Sequence, residues 1–286
     1  MHQSQLENMA NNFTVFSKPA EDFLELQKYP NYGIFLLTGK GEFTVDFTKY
    51  KFSGPAIAFT TPYQLFAISS NLAQPIVGMF FHGDFYCIEY HKKEVACNGL
   101  LFNNIYKEPC FSIPQELFAE IQQLINKIKL SNKKKNYSIA VIKSYLQLIL
   151  ALASEKKSQL IETSKLSDQK LDLSISFQKL LEENFLDNSS PSFYAEKLGI
   201  STNTLSKKIK KELGKTPTLL IAERLMLEAK KKLHLTRQSV KEIAFSLNFQ
   251  SEYYFSRYFK KHTGISPSEF REKVGISIVA DQTENA

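Results

Sequence analysis

The sequence predicts an α+β chain: an N-terminal β-barrel carrying a helical hairpin, then an all-α domain built from two helix-turn-helix units. Three observations predict it. Up to about residue 112, Phe, Val, Ile and Thr are dense, and Gly or Pro interrupts every eight to twelve residues, which suits a barrel or sandwich. After Pro114 the apolar pattern switches to the helical period of 3.6. From Ala195 to about Phe270 one pattern occurs twice, roughly fifty residues apart.

The β region is expected over residues 13–112. Ile34 to Thr38 and Glu42 to Phe47 flank Gly39-Lys-Gly41, a hairpin signal. Ser53-Gly-Pro55 and Thr61-Pro62 bound a strand over Ala56 to Thr60. Gln64 to Ser69 and Ile76 to Phe81 supply two more.

Pro114 suits the first turn of a helix, and Leu117, Ile121, Leu124, Ile125 and Ile128 share one face. The polar run Ser131 to Asn136 ends that helix, and a second places Ile142, Tyr145, Leu146, Ile149 and Ala153 on one stripe. Two amphipathic helices over about 114–153 form an antiparallel hairpin, which either packs on the β domain or offers its stripe to a second subunit. Residues 156–172, rich in Ser, Lys, Glu and Gln, read as a linker between a first domain over 1–155 and a second over 173–286.

In the second domain, Ser239-Val-Lys-Glu242 and Ser266-Pro-Ser-Glu269 read as capping boxes. Thr216-Pro217 places a capping hydroxyl before a proline at the first helical position and opens a long helix to Leu233, with Leu220, Ala229 and Leu233 as buried candidates. In each repeat copy an alanine, Ala195 or Ala244, marks a close helix crossing. The turn follows at Gly199-Ile200 or Asn248-Phe249, where Gly and Asn tolerate a left-handed backbone. The second copy carries one extra residue, Gln250. Second helices then begin at Ser201 and Ser251, with inner faces of Leu205 and Ile209, or Phe255 and Phe259.

The outer faces carry Asn203, Ser206, Lys207 and Lys210, or Tyr253, Tyr254, Arg257 and Lys260. Arg257 suits a bidentate pair with guanine, Lys207 a looser one, and Asn203 a pair with adenine. Ser206 suits a base or a phosphate. Lys210, Lys211, Lys260 and Lys261, further along each helix, suit phosphates. Charge agrees: Lys197 to Lys261 holds fifteen Lys or Arg against five acids, a local +10, so the rest sums to −3 of the total +7. A basic patch on one part of a chain points to a polyanion. For any one of these residues the alternative is simple solvation.

With 43% hydrophobic and 23% charged residues, the chain is not disordered by composition. Cys87, Cys97 and Cys110 are few and widely spaced, which argues against disulfides or a zinc cluster and fits a reducing cytosol. The first residues lack a basic stretch followed by an apolar run, so no secretion signal is expected. The apolar stretch Tyr145 to Ala153 is too short to cross a bilayer.

Residues 241–271, Lys-Glu-Ile-Ala-Phe-Ser-Leu-Asn-Phe-Gln-Ser-Glu-Tyr-Tyr-Phe-Ser-Arg-Tyr-Phe-Lys-Lys-His-Thr-Gly-Ile-Ser-Pro-Ser-Glu-Phe-Arg, closely resemble the signature of AraC/XylS-type bacterial transcription regulators. The first copy resembles it more loosely, with Ile209 where an aromatic is frequent. The resemblance spans about Phe177 to Arg271. It implies base contacts from Asn203, Ser206, Lys207, Tyr253 and Arg257. Thr202, Lys210, Lys211, Ser251, Tyr254, Lys260 and Lys261 are assigned to phosphates. It also implies double-stranded DNA and RNA polymerase as partners, a cytoplasmic activator, and an N-terminal domain like the cupin-type sensors of such regulators.

A homodimer and a small-molecule effector are open. The Phe-rich strands either line an effector pocket or are ordinary core. A metal cupin needs clustered histidines, and before the linker only His2, His82 and His91 are present, so no cofactor or metal is expected. Two rivals remain: a cupin-type or repair enzyme with an appended DNA-binding domain, and a ligand-independent regulator whose first domain only dimerises.

Overall fold

The computed structural model describes residues 13–46, 48–69, 74–83, 85–86, 100–102, 104–133, 139–167 and 172–276. By internal contacts the chain divides into two units. One comprises Met1–Asn104 and Glu108–Leu160, the other Ile105–Lys107 and Ile161–Ala286.

The first unit is organised around a strand with no solvent face. All six residues of β2 (Tyr32–Leu37) are buried. Successive side chains of a strand point to opposite faces. Ile34 and Leu36 therefore join one apolar cluster while Phe35 and Leu37 join another. Such a strand must sit inside a sheet covered on both sides.

Here β1 (Phe13–Lys18), β7 (Ile76–Phe81), β2, β5 (Ala56–Thr60) and β8 (Cys110–Ser112) form one sheet, in the order β1-β7-β2-β5-β8. All of its pairings are antiparallel. A second sheet, β4-β3-β6, is built from β4 (Thr48–Ser53), β3 (Lys40–Val45) and β6 (Phe66–Ser69). Phe43, Val45, Phe52, Phe66 and Ile68 of this smaller sheet cluster with Phe35, Leu37, Ala56, Ala58 and Ile76 of the larger one.

The expected hairpin across Gly39-Lys-Gly41 does not form. β2 and β3 lie in different sheets, and β3 pairs with β4 and β6. Gly39, at φ +73°, turns the chain from one sheet into the other. The reason lies in β2: a strand buried on both faces takes neighbours on both edges of its own sheet, here β7 and β5. The expected strands at 56–60 and 76–81 are β5 and β7, and the stretch read from Gln64 is β6, which begins at Phe66.

The other face of the larger sheet is covered by α1 (Gln115–Lys133) and α2 (Ile139–Ser167). Ile121, Leu124, Ile125 and Ile128 of α1, with Ile142, Leu146, Ile149 and Ala153 of α2, join Ile34, Ile57, Phe59, Met79 and Phe81 in one core. The amphipathic stripes are therefore used on the β-sheet. Residues 156–172, read as a linker, are helix through Ser167. Lys157 explains part of the difference. It is only 5% exposed, donates to the Glu108 carbonyl at 2.9 Å, and lies 5.3 Å from the Phe111 ring centre. A lysine stem packs well on apolar surface when its ammonium finds a carbonyl, and composition does not register that pairing.

The second unit contains α3 (Asp172–Asn184), α4 (Pro191–Lys197), α5 (Thr202–Leu213), α6 (Pro217–Leu235), α7 (Val240–Ser246), α8 (Glu252–Thr263) and α9 (Pro267–Val274). Phe177, Leu181 and Tyr194 are buried in its first half, and Leu220, Ala229 and Leu233 of α6 are fully buried as expected. Three residues from far upstream belong to this unit. The Tyr106 hydroxyl donates to Glu182 at 2.7 Å, and Lys215 donates to the Ile105 carbonyl at 3.2 Å and to Glu223 at 2.7 Å. Arg224 bridges Glu182 and Glu228 at 2.8 and 3.1 Å, with its guanidinium 3.8 Å from the Phe185 ring centre. Burial, and then the Glu182 carboxylate, push the Tyr106 phenol well above its usual range.

Candidate nucleic-acid interface

The two repeat copies fold alike, and the likeness can be followed residue by residue. The first helices, α4 and α7, are each seven residues long, and Ala195 and Ala244 are buried at 2% and 0% exposure. Their carbonyls accept from Ile200 and Phe249, both at 3.0 Å, which closes each turn. Gly199 and Asn248 sit at φ +67° and +60°, the left-handed conformation their types suggest. Asn248 has an additional role: its amide donates to the Leu186 carbonyl at 3.2 Å and to Asp187 at 2.8 Å.

The extra residue of the second turn is absorbed between Phe249 and Ser251. Ser251 is more extended than Ser201, with φ −157° against −72°. Each serine caps its helix. Ser201 Oγ accepts from the Thr204 amide at 3.2 Å, and Ser251 Oγ from the Tyr254 amide at 3.3 Å. Both second helices, α5 and α8, run twelve residues and end at a left-handed glycine, Gly214 or Gly264.

Packing fixes which side of each second helix faces outward. Leu205, Ile209, Phe255 and Phe259 are all at 0% exposure. At 3.6 residues per turn the opposite side holds Asn203, Lys207, Lys210 and Lys211 in α5, and Tyr253, Arg257, Lys260 and Lys261 in α8. All eight are exposed, as are Thr202 and Tyr254. Ser206 is half-buried on the flank, and Ser251 is half-buried with its oxygen engaged as the cap, leaving its proton to donate. Within each copy, then, the structure gathers the expected base-reading and phosphate-binding residues on and around one outward surface. Arg257 lies over the Tyr253 ring, 5.6 Å from its centre.

The surrounding helix ends only partly follow expectation. The capping box at Ser239 is complete: its hydroxyl accepts from the Glu242 amide, and Glu242 takes the Ser239 amide at 2.7 Å. The Ser239 amide, and then the Ser239 hydroxyl donating at 2.8 Å, hold the Glu242 carboxyl below its usual range. At Ser266 only half the box forms. Ser266 caps the Glu269 amide at 3.2 Å, while the Glu269 carboxylate takes Lys273 at 2.6 Å. A lysine one turn on competes for the same oxygen.

Sequence reasoning passed over two features. Glu252 is an exposed carboxylate in the first turn of α8, disguised because acids there also suit a helix start. Arg271, the end of the signature run, has its Nε bonded to the Leu233 carbonyl at 3.0 Å and so ties α9 to α6. No local pattern announces that contact.

The remaining chemistry-bearing residues are placed differently. Cys110 is buried in β8, and desolvation, then Glu108, push its thiol up to about 12. Cys87, Cys97, His2 and His91 lie outside the described residues. Among the described residues no group of three His, Cys, Asp or Glu is arranged to hold a metal ion. No described helix is long and apolar enough to cross a membrane.

Residues 194–273 match the family model of a helix-turn-helix domain. Over 162 residues, 56% of this chain and 56% of the relative, the sequence is 28% identical to the HTH-type transcriptional activator RhaS of Escherichia fergusonii. A RhaS from Escherichia coli O139:H28 is 29% identical over 128 residues, 45% of this chain and 44% of that one. The chain thus matches about half the length of these curated relatives. Among solved structures it is similar to a transcriptional regulator of Chromobacterium violaceum described as containing an AraC-type DNA-binding domain. The identity is 27%, coverage is 35% of this chain and 90% of that one, and the TM-score is 0.33. ToxT of Vibrio cholerae O395 aligns over 92% of this chain and 98% of its own at 16% identity and a TM-score of 0.42. Residues 194–273, from within α4 to within α9, are a helix-turn-helix domain. The run of residues 241–271 that resembles the AraC/XylS signature lies within this matched segment and spans α7 to α9.

Proposed function

We propose that the protein is a sequence-specific DNA-binding transcription regulator of the AraC/XylS type that activates its target genes in the cytoplasm. The observation that carries this reading is the matched pair α5 and α8. Each is seated by two fully buried apolar residues, and each turns polar and basic side chains outward. A helix presented in this way fits the major groove, and two in one chain suit successive groove segments about one turn apart, ~34 Å. The names of the curated relatives, transcriptional activators, support the sign of regulation.

In this reading Asn203, Ser206, Lys207 and Arg257 face base edges, with Tyr253 beside Arg257 on the same outward side. Thr202, Lys210, Lys211, Ser251, Tyr254, Lys260 and Lys261 meet phosphates. Base contacts specify, and phosphate contacts position. The β unit is a sensor or dimerisation module, RNA polymerase is the downstream partner, and a small-molecule effector would act through the β unit. The enzyme rivals find little support in Cys110, because a thiol raised to about 12 is not a nucleophile at neutral pH.

Selection of bound fragments from the source genome, followed by gel shift, tests the proposal. One short site should be enriched and bound at least about a thousandfold more tightly than random duplex. Equal binding to all sequences would refute it.

A further inference from the structure

We propose that Tyr253 is a positioning residue for Arg257 and not itself a reader of bases. This rests on the reading of α8 as a groove helix. The two residues stand one helical turn apart on the outward side, and the Arg257 guanidinium carbon lies 5.6 Å from the Tyr253 ring centre. Tyr253 is 67% exposed, so core packing does not account for an aromatic ring there. Among the described residues no carboxylate is within ion-pair distance of Arg257, so the ring is what restrains that side chain.

The physical role follows from what a bidentate contact needs. Arginine has a long stem with many rotamers, and its planar fork pairs with guanine only when correctly aimed. A ring within cation–π range of the guanidinium narrows its rotamers before DNA arrives and reduces the ordering cost on binding. The first reader has no such device. Its corresponding residues are Asn203 and Lys207, and an amide offers a lysine no π face. The pairing therefore makes the two readers unequal. α8 carries a guanidinium held near a ring, and α5 an ammonium with no ring one turn before it.

The test is a double-substitution cycle in the full-length protein, using the duplex recovered by selection and duplexes altered at each base pair. Tyr253→Leu should weaken binding about two- to fivefold and reduce discrimination at the one base pair that depends on Arg257. Tyr253→Phe, which keeps the ring and loses the hydroxyl, should match the wild type in both respects. In the Arg257→Ala background Tyr253→Leu should have no further effect.

Equal losses from Tyr253→Leu with and without Arg257 would overturn the inference, since Tyr253 would then contact DNA on its own account. So would Tyr253→Phe behaving like Tyr253→Leu. If Arg257→Ala alone left affinity and preference unchanged, the groove assignment of α8 would fail, and the inference with it. Both side chains are exposed, and unchanged helical circular dichroism would confirm that the variants fold.

Discussion

Replacing Arg257 and replacing the Lys260-Lys261 pair should damage DNA binding in two distinguishable ways. Arg257 projects opposite the buried Phe255 and Phe259, at the middle of the outward side of α8. A bidentate contact with guanine contributes about 1–3 kcal/mol of discrimination. Arg257→Ala should therefore cost roughly five- to 150-fold at the selected site and relax preference at one base position. Its effect on random duplex should be much smaller.

Lys260 and Lys261 lie in the last turn of the same helix, also exposed. If each neutralises one phosphate, Lys260→Ala/Lys261→Ala removes about 1.8 from the slope of log K against log salt concentration. Raising salt from 50 to 200 mM should then shrink the gap between wild type and variant by about tenfold, with base preference intact. Fluorescence anisotropy at four or five salt concentrations, on selected and random duplexes, reads both quantities. An Arg257→Ala variant with unaltered preference, or a lysine variant with an unaltered slope, would refute the assignment of roles along α8.

Three further outcomes follow from the structure. Gly199→Ala should destabilise the helical domain by about 1–2 kcal/mol in urea unfolding, because φ is +67° while a Cβ there would meet open space, so the cost is purely conformational. Gly199→Asn should cost less, and equal stability of the alanine variant and wild type would contradict this. Glu242 is held below its usual pKa by the capping box, so its contribution is present at neutral pH and lost as pH falls through that depressed value. Glu242→Gln should lower Tm at neutral pH and converge with wild type in acid; parallel curves would count against the cap. Cys110 should resist thiol reagents in the native state near pH 8 and react once unfolded, as peptide mass spectrometry would report.

How much of this was legible in the sequence depended on the distance over which each signal acts. Helices α5 and α8 were legible because their determinants are local. Ser201 and Ser251 cap, Gly199 and Asn248 turn, and residues spaced by four seat each helix. The partnership of β2 was not, because a strand buried on both faces loses the alternation that would reveal its neighbours. Residues 156–167 were misread because good helix formers such as Lys, Glu and Gln also compose linkers. The Ile105–Lys107 segment, which meets Lys215 and Glu182, joins residues too far apart in sequence for any local pattern to show. On α5 and α8 the outward face was readable from spacing, but the approach of Arg257 to the Tyr253 ring depends on rotamers.

In the proposed complex one chain places α5 and α8 in two successive major-groove segments. Hydroxyl-radical and methylation footprinting on the selected site tests it most directly. Two protected groove segments are expected on one face of the duplex, about one helical turn apart, with loss of one of them when ~5 bp is inserted between. A single protected segment, unaffected by the insertion, would contradict it.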